Sequence, residues 1–107
     1  MTSASNEIVG ARYLAEQIRN VGLTHVFFID AILRRTLIDL EELGIERVLV
    51  HAEKSAAYMA DAYARINNGL GVCMAQSVGA ANLAAGLQDA YLHRSPVLAL
   101  TGRKEPA

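Results

Sequence analysis

Hydrophobic residues are spaced along this chain in two alternating ways. Segments in which apolar residues recur every three or four positions predict helices at residues 7–21, 32–43, 55–66 and 80–92. Short runs rich in Val, Ile, Leu and Phe predict strands at residues 24–29, 47–52, 71–76 and 96–102. Gly22, Gly44 and the sequence Asn67-Asn68-Gly69 end the first three predicted helices. The chain therefore alternates helix and strand.

Strands that are apolar throughout are typical of a sheet that is buried on both faces. Because these strands alternate with helices, they predict a parallel sheet joined by right-handed crossovers. The predicted fold class is α/β, with a mostly parallel sheet between two layers of helices. The 107 residues amount to one domain or to part of one, and no helix follows the last predicted strand. We expect the native polypeptide to continue beyond Ala107.

Composition narrows the class of protein. Ten Lys and Arg residues against eleven Asp and Glu give a net charge of −1, which argues against a dedicated nucleic-acid binder. The chain is 52% hydrophobic, and its single cysteine excludes an internal disulfide framework. It lacks both an apolar run of the ~18–20 residues that span a bilayer and a signal-peptide core. We expect a soluble, cytoplasmic protein.

Ligands of open parallel sheets bind beyond the carboxyl ends of the strands, which here are residues 30–31, 51–54, 76–82 and 101–104. Glu53 follows the second predicted strand and is a candidate proton-handling carboxylate. The alternative for Glu53 is an acid that stabilises a helix start. Gly79 lies between a strand and a helix, where it permits either the close approach of a ligand or an ordinary tight turn. The local pattern alone favours the structural interpretation of both residues.

The other chemically reactive residues form no catalytic or metal-binding motif. The three histidines lack zinc-site spacing, and His51, at the end of a predicted strand, is interpreted as a structural residue. Cys73 lies in the middle of a predicted strand, where packing is expected rather than nucleophilic catalysis. Ser77 lacks the Gly-x-Ser-x-Gly context of a hydrolase, and the glycine-rich phosphate fingerprints are missing.

Four segments in this order resemble the N-terminal pyrimidine-binding domain of the thiamine diphosphate-dependent enzymes, in the superfamily of acetolactate synthase, pyruvate oxidase and the decarboxylases. The segments are AEQIRNVGLTHVFFI, HAEKSAAYMADAYAR, GVCMAQSVGAANLAAGLQDAY and SPVLALTGR. The most specific stretch is Glu53 followed at fixed spacing by Ala57, Met59, Ala60, Asp61 and the sequence Tyr63-Ala64-Arg65. The resemblance implies that residues 1–107 are the N-terminal portion of such a domain, with a partial thiamine diphosphate-binding fold.

The resemblance also implies an activity, which is the decarboxylation or carboligation of a 2-keto acid. Glu53 matches the catalytic glutamate that hydrogen-bonds N1′ of the cofactor's aminopyrimidine and so promotes loss of the thiazolium C2 proton. The other implied cofactor-binding residues are Ile29, Asp30, Val78, Gly79 and Asn82.

By the same resemblance, the ligands of Mg²⁺ and of the diphosphate are expected outside this chain, and FAD use stays open. The active site would form with a diphosphate-binding domain of another subunit, in a homodimer or homotetramer, so the 107 residues alone are expected to be inactive.

The chain departs from the family pattern at three places near the implied cofactor. Residues 28–31 stand where the family has a Pro-Gly-Gly segment. The connection from the strand to the helix is about two residues shorter here than is usual in the family. Where the family has Arg-His-Glu, this chain has residues 50–53, with the histidine displaced by one position. Where the family has Gly-Pro-Gly, this chain has Ser77-Val78-Gly79. These departures leave open a decarboxylase or carboligase other than acetolactate synthase. They also leave open a non-catalytic α/β module that binds a partner subunit or a small ligand.

Overall fold

A computed structural model describes residues 7–29 and 33–103 of the chain. Helices and strands alternate strictly along these residues. The elements are α1 (Gly10–Asn20), β1 (His25–Phe28), α2 (Arg34–Glu42), β2 (Glu46–Leu49), α3 (Glu53–Asn67), β3 (Gly71–Gln76), α4 (Val78–Leu92) and β4 (Val97–Gly102). None of the helices in the described ranges is both long enough and apolar enough to cross a membrane.

The four strands form one parallel sheet in the order β2-β1-β3-β4. The chain therefore runs outward from β1 to β2 and then returns across β1 to reach β3. Helices α1 and α2 pack together on one face of the sheet, and α3 and α4 pack together on the other. This three-layer arrangement confirms the predicted α/β fold class.

The alternation of side chains along β3 separates two hydrophobic cores of different character. Val72 and Met74 belong to the core under α1 and α2, which is built mainly from Leu, Ile, Val and Phe. Cys73 and Ala75 point to the opposite side, into a core in which α3 contributes only alanines. Because alanine side chains are short, α3 approaches the sheet closely.

Cys73 is fully buried in this second core, as expected for a packing residue. Burial raises the pKa of its thiol to about 12, so the thiolate that a nucleophile requires is scarce near neutral pH.

Several element boundaries differ from those predicted. Strand β2 ends at Leu49 rather than at residue 52, and just beyond this end the Val50 amide still donates to the Phe28 carbonyl at 3.0 Å. Helices α3 and α4 each begin two residues earlier than predicted, because their first turns carry no apolar periodicity. Between β2 and α3, Val50 is buried, whereas His51 and Ala52 are exposed.

An ion pair within α3, between the buried Asp61 and the exposed Arg65, is linked by a hydrogen bond to the loop that precedes β4. Arg65 donates two hydrogen bonds to the Asp61 carboxylate, with Nε to Oδ1 at 2.9 Å and Nη2 to Oδ2 at 3.1 Å. Its Nε also donates to Ser95 Oγ at 3.2 Å. Burial by itself raises the pKa of Asp61, but hydrogen bonds from Ser95 and Arg65 outweigh that effect, so its pKa lies below the ordinary value.

Replacing Asp61 by Asn is expected to lower the free energy of unfolding at pH 7 by about 1–2 kcal/mol, because a charge-assisted pair is lost. Since the pKa of Asp61 is lower in the folded than in the unfolded protein, the ionised side chain stabilises the fold above ~pH 4, and this contribution disappears as the pH falls through the folded pKa. The difference between the two proteins should therefore shrink in acid, as measured by urea unfolding across pH.

The matched control is Glu41→Gln, which removes a carboxylate paired with Arg47 at 2.9 Å on the surface. We expect a smaller effect there, because exposed pairs contribute little. If Asp61→Asn lowered the free energy of unfolding by the same amount down to low pH, the stabilisation would not come from the charge of Asp61.

Candidate functional site

The strand order creates a crevice at one edge of the sheet. β1 leads to α2 on one face, whereas its neighbour β3 leads to α4 on the other, and ligands bind open parallel sheets at such a reversal. Ile29 follows β1 there and is half-buried, with its amide donating to the Met74 carbonyl at 3.3 Å. Ser77 follows β3, and its amide donates to the Gly102 carbonyl at the end of β4, at 3.0 Å.

Glu53 and Asn82 meet at this edge. Glu53 is the first residue of α3 and is half-buried, and Asn82 lies in the second turn of α4. The Asn82 side-chain amide donates a hydrogen bond from Nδ2 to Oε1 of Glu53 at 3.3 Å. Two residues that are 29 positions apart in the sequence are thus joined side chain to side chain.

Gly79 provides the space that the Glu53 carboxylate occupies. A Cβ atom at position 79 would lie 2.8 Å from Oε2 of Glu53 and 3.2 Å from its Cγ. Any side chain at this position would therefore push the carboxylate away. The group that approaches Gly79 closely in this structure is the Glu53 carboxylate. Both α3 and α4 begin at this carboxylate, and helix N-termini carry a partial positive charge that attracts an anion.

The turn before α4 holds Ser77 in a conformation that favours glycine. Ser77 has φ 47° and ψ −120°, and its carbonyl accepts a hydrogen bond from the Ala80 amide at 2.9 Å. A side chain in this region is strained at a cost of order 1 kcal/mol or more. Val78 then occupies the first helical position, where proline is also well accommodated. Because Ser77-Val78-Gly79 stands in place of Gly-Pro-Gly, the backbone of this turn is strained at its first residue, Ser77.

The structure brings only part of the predicted site together. Glu53, Gly79 and Asn82 are in contact, and Ile29 lies at the end of the neighbouring strand. Val78 is 79% exposed and has no such contact among the described residues. Asp30 lies outside the described residues.

His25 and His93 lie apart from this cluster. His25 opens β1, at the opposite edge of the sheet, and its ring centroid is 5.8 Å from that of Tyr63. His93 pairs with Asp89 at 3.3 Å. Within residues 7–29 and 33–103, no group of three or more His, Cys, Asp or Glu side chains is placed to hold a metal ion.

Two features of the site have no signal in the local sequence pattern. Resemblance suggested Asn82 as a cofactor contact, but its hydrogen bond to Glu53 follows from the packing of α4 against α3. The positive φ of Ser77 is also invisible in the pattern, since serine rarely adopts it.

Replacing Ser77 by Gly is expected to raise the free energy of unfolding by about 0.5–1 kcal/mol, because glycine relieves the strain at the cost of a more flexible unfolded chain. Thermal or urea unfolding measures the change. The control is Ser55→Gly, in the first turn of α3 with ordinary helical backbone, which should destabilise the protein. A Ser77→Gly variant less stable than the wild type would contradict the presence of backbone strain at Ser77.

The chain matches the family described as "Thiamine pyrophosphate enzyme, N-terminal TPP binding domain" over residues 8–106. It is 40% identical to the acetolactate synthase of Arthrospira platensis over 94% of this chain and 18% of that protein. It is 39% identical to the acetolactate synthase large subunit of Pyropia yezoensis, over 92% of this chain and 18% of that protein. Identity to the acetolactate synthase isozyme 2 large subunit of Escherichia coli (strain K12) is 38%, over 88% of this chain and 18% of that protein. The chain thus spans less than a fifth of the length of these relatives, and it belongs to the family of the N-terminal TPP-binding domain of thiamine pyrophosphate enzymes.

Proposed function

We propose that this chain supplies the pyrimidine-activating glutamate of a thiamine diphosphate-dependent enzyme that decarboxylates or carboligates a 2-keto acid. The observation that carries the proposal is the position of the Glu53 carboxylate, held between Asn82 and Gly79 at the carboxyl edge of the sheet. The similarity to proteins named acetolactate synthase supports this reaction class.

The residues at this edge suit an aminopyrimidine ring. The Asn82 side chain donates one hydrogen bond to the Glu53 carboxylate. A carboxyl group has about four acceptor positions, so Glu53 retains the capacity to bind a ring nitrogen. Its partial burial reduces competition from water, which strengthens such a hydrogen bond.

When bound, thiamine diphosphate would supply the carbanion-stabilising chemistry that decarboxylation or carboligation of a 2-keto acid requires. The part of Glu53 is to share a proton with N1′ of the pyrimidine, as a positioned acid or base. Asn82 fixes the carboxylate through Oε1, and Gly79 leaves room for Oε2. Asn82 and Gly79 are thus positioning residues in this scheme. The assignment of Ile29, Asp30 and Val78 to the surroundings of the ring rests on family resemblance.

The remaining machinery is proposed to lie outside these 107 residues. The chain covers 18% of the length of its relatives, and we assign the diphosphate and Mg²⁺ ligands to a separate domain. A homodimer or homotetramer would bring that domain to Glu53 from another subunit. This arrangement gives the chain one half of an active site.

Replacing Glu53 by Gln in the complete protein is expected to slow exchange of the cofactor's C2 proton by about 10²–10⁴-fold, because the amide cannot accept and return the proton. Deuterium exchange followed by NMR measures this step separately from turnover. The control is Glu46→Gln, which makes the same chemical change at an exposed position of β2.

Exchange at the wild-type rate in Glu53→Gln would contradict the role of Glu53. Failure of the wild-type complete protein to bind thiamine diphosphate with Mg²⁺, measured by calorimetry, would instead support a non-catalytic module.

Replacing Gly79 by Ala tests the positioning of the carboxylate independently. The added Cβ would lie 2.8 Å from Oε2, so Glu53 must move. We expect C2 proton exchange to fall by at least about 10-fold, since displacement by a fraction of an ångström weakens a placed acid or base. Gly10→Ala is the matched control, because a Cβ at position 10 meets nothing within 4 Å. Unchanged exchange in a folded Gly79→Ala variant would show that the contact is immaterial.

A further inference from the structure

Ser77 precedes α4 without the contact that a serine usually makes in that position. Serine is favoured just before a helix because its hydroxyl accepts a hydrogen bond from an amide of the first turn. The Ser77 side chain makes no such bond, and its backbone, with φ 47° and ψ −120°, is strained. The hydroxyl therefore does not offset the strain by capping α4.

The turn that holds Ser77 has the form of a nucleophile elbow. In the α/β-hydrolases, a serine on a sharp, strained turn between a strand and a helix exposes its Oγ at the edge of the sheet. Ser77 likewise connects β3 to α4 and is half-buried. Gly79 follows two positions later, as in the Gly-x-Ser-x-Gly pattern, whereas Ala75 stands where that pattern has its first glycine. The turn thus presents a hydroxyl group at the carboxyl edge of the sheet, two residues from the glycine that contacts Glu53.

The surroundings of this hydroxyl suit a hydrogen-bond donor rather than a nucleophile. A nucleophilic serine needs a hydrogen-bonded base, which is a histidine in the hydrolases. The hydrogen bonds that the structure gives to histidine rings join His25 to Thr24 and His93 to Asp89. A hydroxyl group without such a base still donates to an oxygen atom of a ligand. Ser77 is therefore suited to a ligand that accepts a hydrogen bond.

A cationic residue lies beside Ser77 at the same edge. The register pairs Gln76 of β3 with Gly102 of β4, and the Ser77 amide donates to the Gly102 carbonyl at 3.0 Å. Arg103 comes next along the chain and is exposed. Because neighbouring strands lie about 4.8 Å apart, the backbones of Ser77 and Arg103 are side by side. A hydroxyl donor beside a guanidinium favours an anionic ligand with oxygen acceptors, such as a carboxylate.

We propose that Ser77 Oγ and the Arg103 guanidinium bind the carboxylate group of the 2-keto acid. The inference rests on the proposed function and divides the work at this edge, since Glu53 serves the cofactor whereas Ser77 and Arg103 hold the substrate. It also accounts for a strained serine at a position where the family has glycine, because glycine has no hydroxyl to donate. Backbone strain of this kind is concentrated at ligand-binding sites.

Steady-state kinetics of the complete protein test the two contacts. The substrate is whichever of pyruvate, 2-oxobutanoate and phenylglyoxylate the wild type turns over fastest. Ser77→Ala keeps the Cβ atom and the strain but removes the hydroxyl, and Arg103→Gln removes the charge. We expect each to raise KM by about 10-fold or more, because a hydrogen bond to a charged group is lost. Ser95→Ala and Arg94→Gln make the same changes in the loop before β4, at the opposite edge of the sheet, and should leave KM unchanged.

Two further readouts separate this inference from the proposed function. Exchange of the C2 proton reports on Glu53 and needs no substrate, so Ser77→Ala and Arg103→Gln should exchange at the wild-type rate. The methyl ester of the same keto acid has no carboxylate charge, and its inhibition constant should be the same for the wild type and both variants. Ser77→Gly should be more stable than the wild type and yet show the same rise in KM as Ser77→Ala.

An unchanged KM in both variants, together with wild-type C2 exchange, would overturn the inference and leave the proposed function standing. So would an equal loss of affinity for the acid and its ester, or the absence of turnover with all three keto acids. Slower C2 exchange in Ser77→Ala would instead make Ser77 a residue that positions Glu53, which also overturns the inference. If Glu53→Gln leaves C2 exchange unchanged, the proposed function fails and this inference fails with it.

Discussion

The absence of side-chain atoms at three glycines allows α3 to pack directly against β3 and α4. A Cβ on Gly71 would overlap the backbone of Ala60, and one on Gly86 would lie 2.6 Å from the Lys54 carbonyl oxygen. Gly79 repeats the arrangement at the start of α4, where the neighbour is the Glu53 carboxylate. Backbone and small side chains thus replace the usual layer of large residues between these elements. The position of Glu53 follows from this packing rather than from a loop of its own.

The same constraint explains how the alanine-rich composition is distributed. Ala56, Ala57 and Ala60 are fully buried where α3 meets the sheet and α4, and their size sets the spacing. Ala81 and Ala85 on α4 have the same side chain but face outward. The inner alanines fit the contacts within the chain, whereas the outer ones leave a shallow surface.

The architecture could be predicted from the sequence because the apolar patterns that specify helices and strands are local. The apolar runs located all four strands, and strand β3 has the predicted bounds. Glu53 was placed at the carboxyl edge because it comes directly after the second predicted strand. The helix starts were less accurate, since the first turns of α3 and α4 are dominated by contacts between Glu53, Gly79 and Asn82 rather than by apolar periodicity. The hydrogen bond of Asn82 depends on the relative position of two helices, which no pattern within either helix specifies.

The departure from the family pattern at the turn before α4 has a physical meaning at this site. Glycine adopts the backbone conformation of Ser77 freely, whereas serine does so under strain. The strain persists because both ends of the turn are fixed, by the bond from the Ser77 amide to Gly102 and by the start of α4. If the turn relaxed, Gly79 would move relative to Glu53, and the space for the carboxylate would change with it. The strained turn and the positioned carboxylate therefore form one structural unit. Serine in place of glycine at position 77 lowers local stability, but the contact between Gly79 and Glu53 is kept.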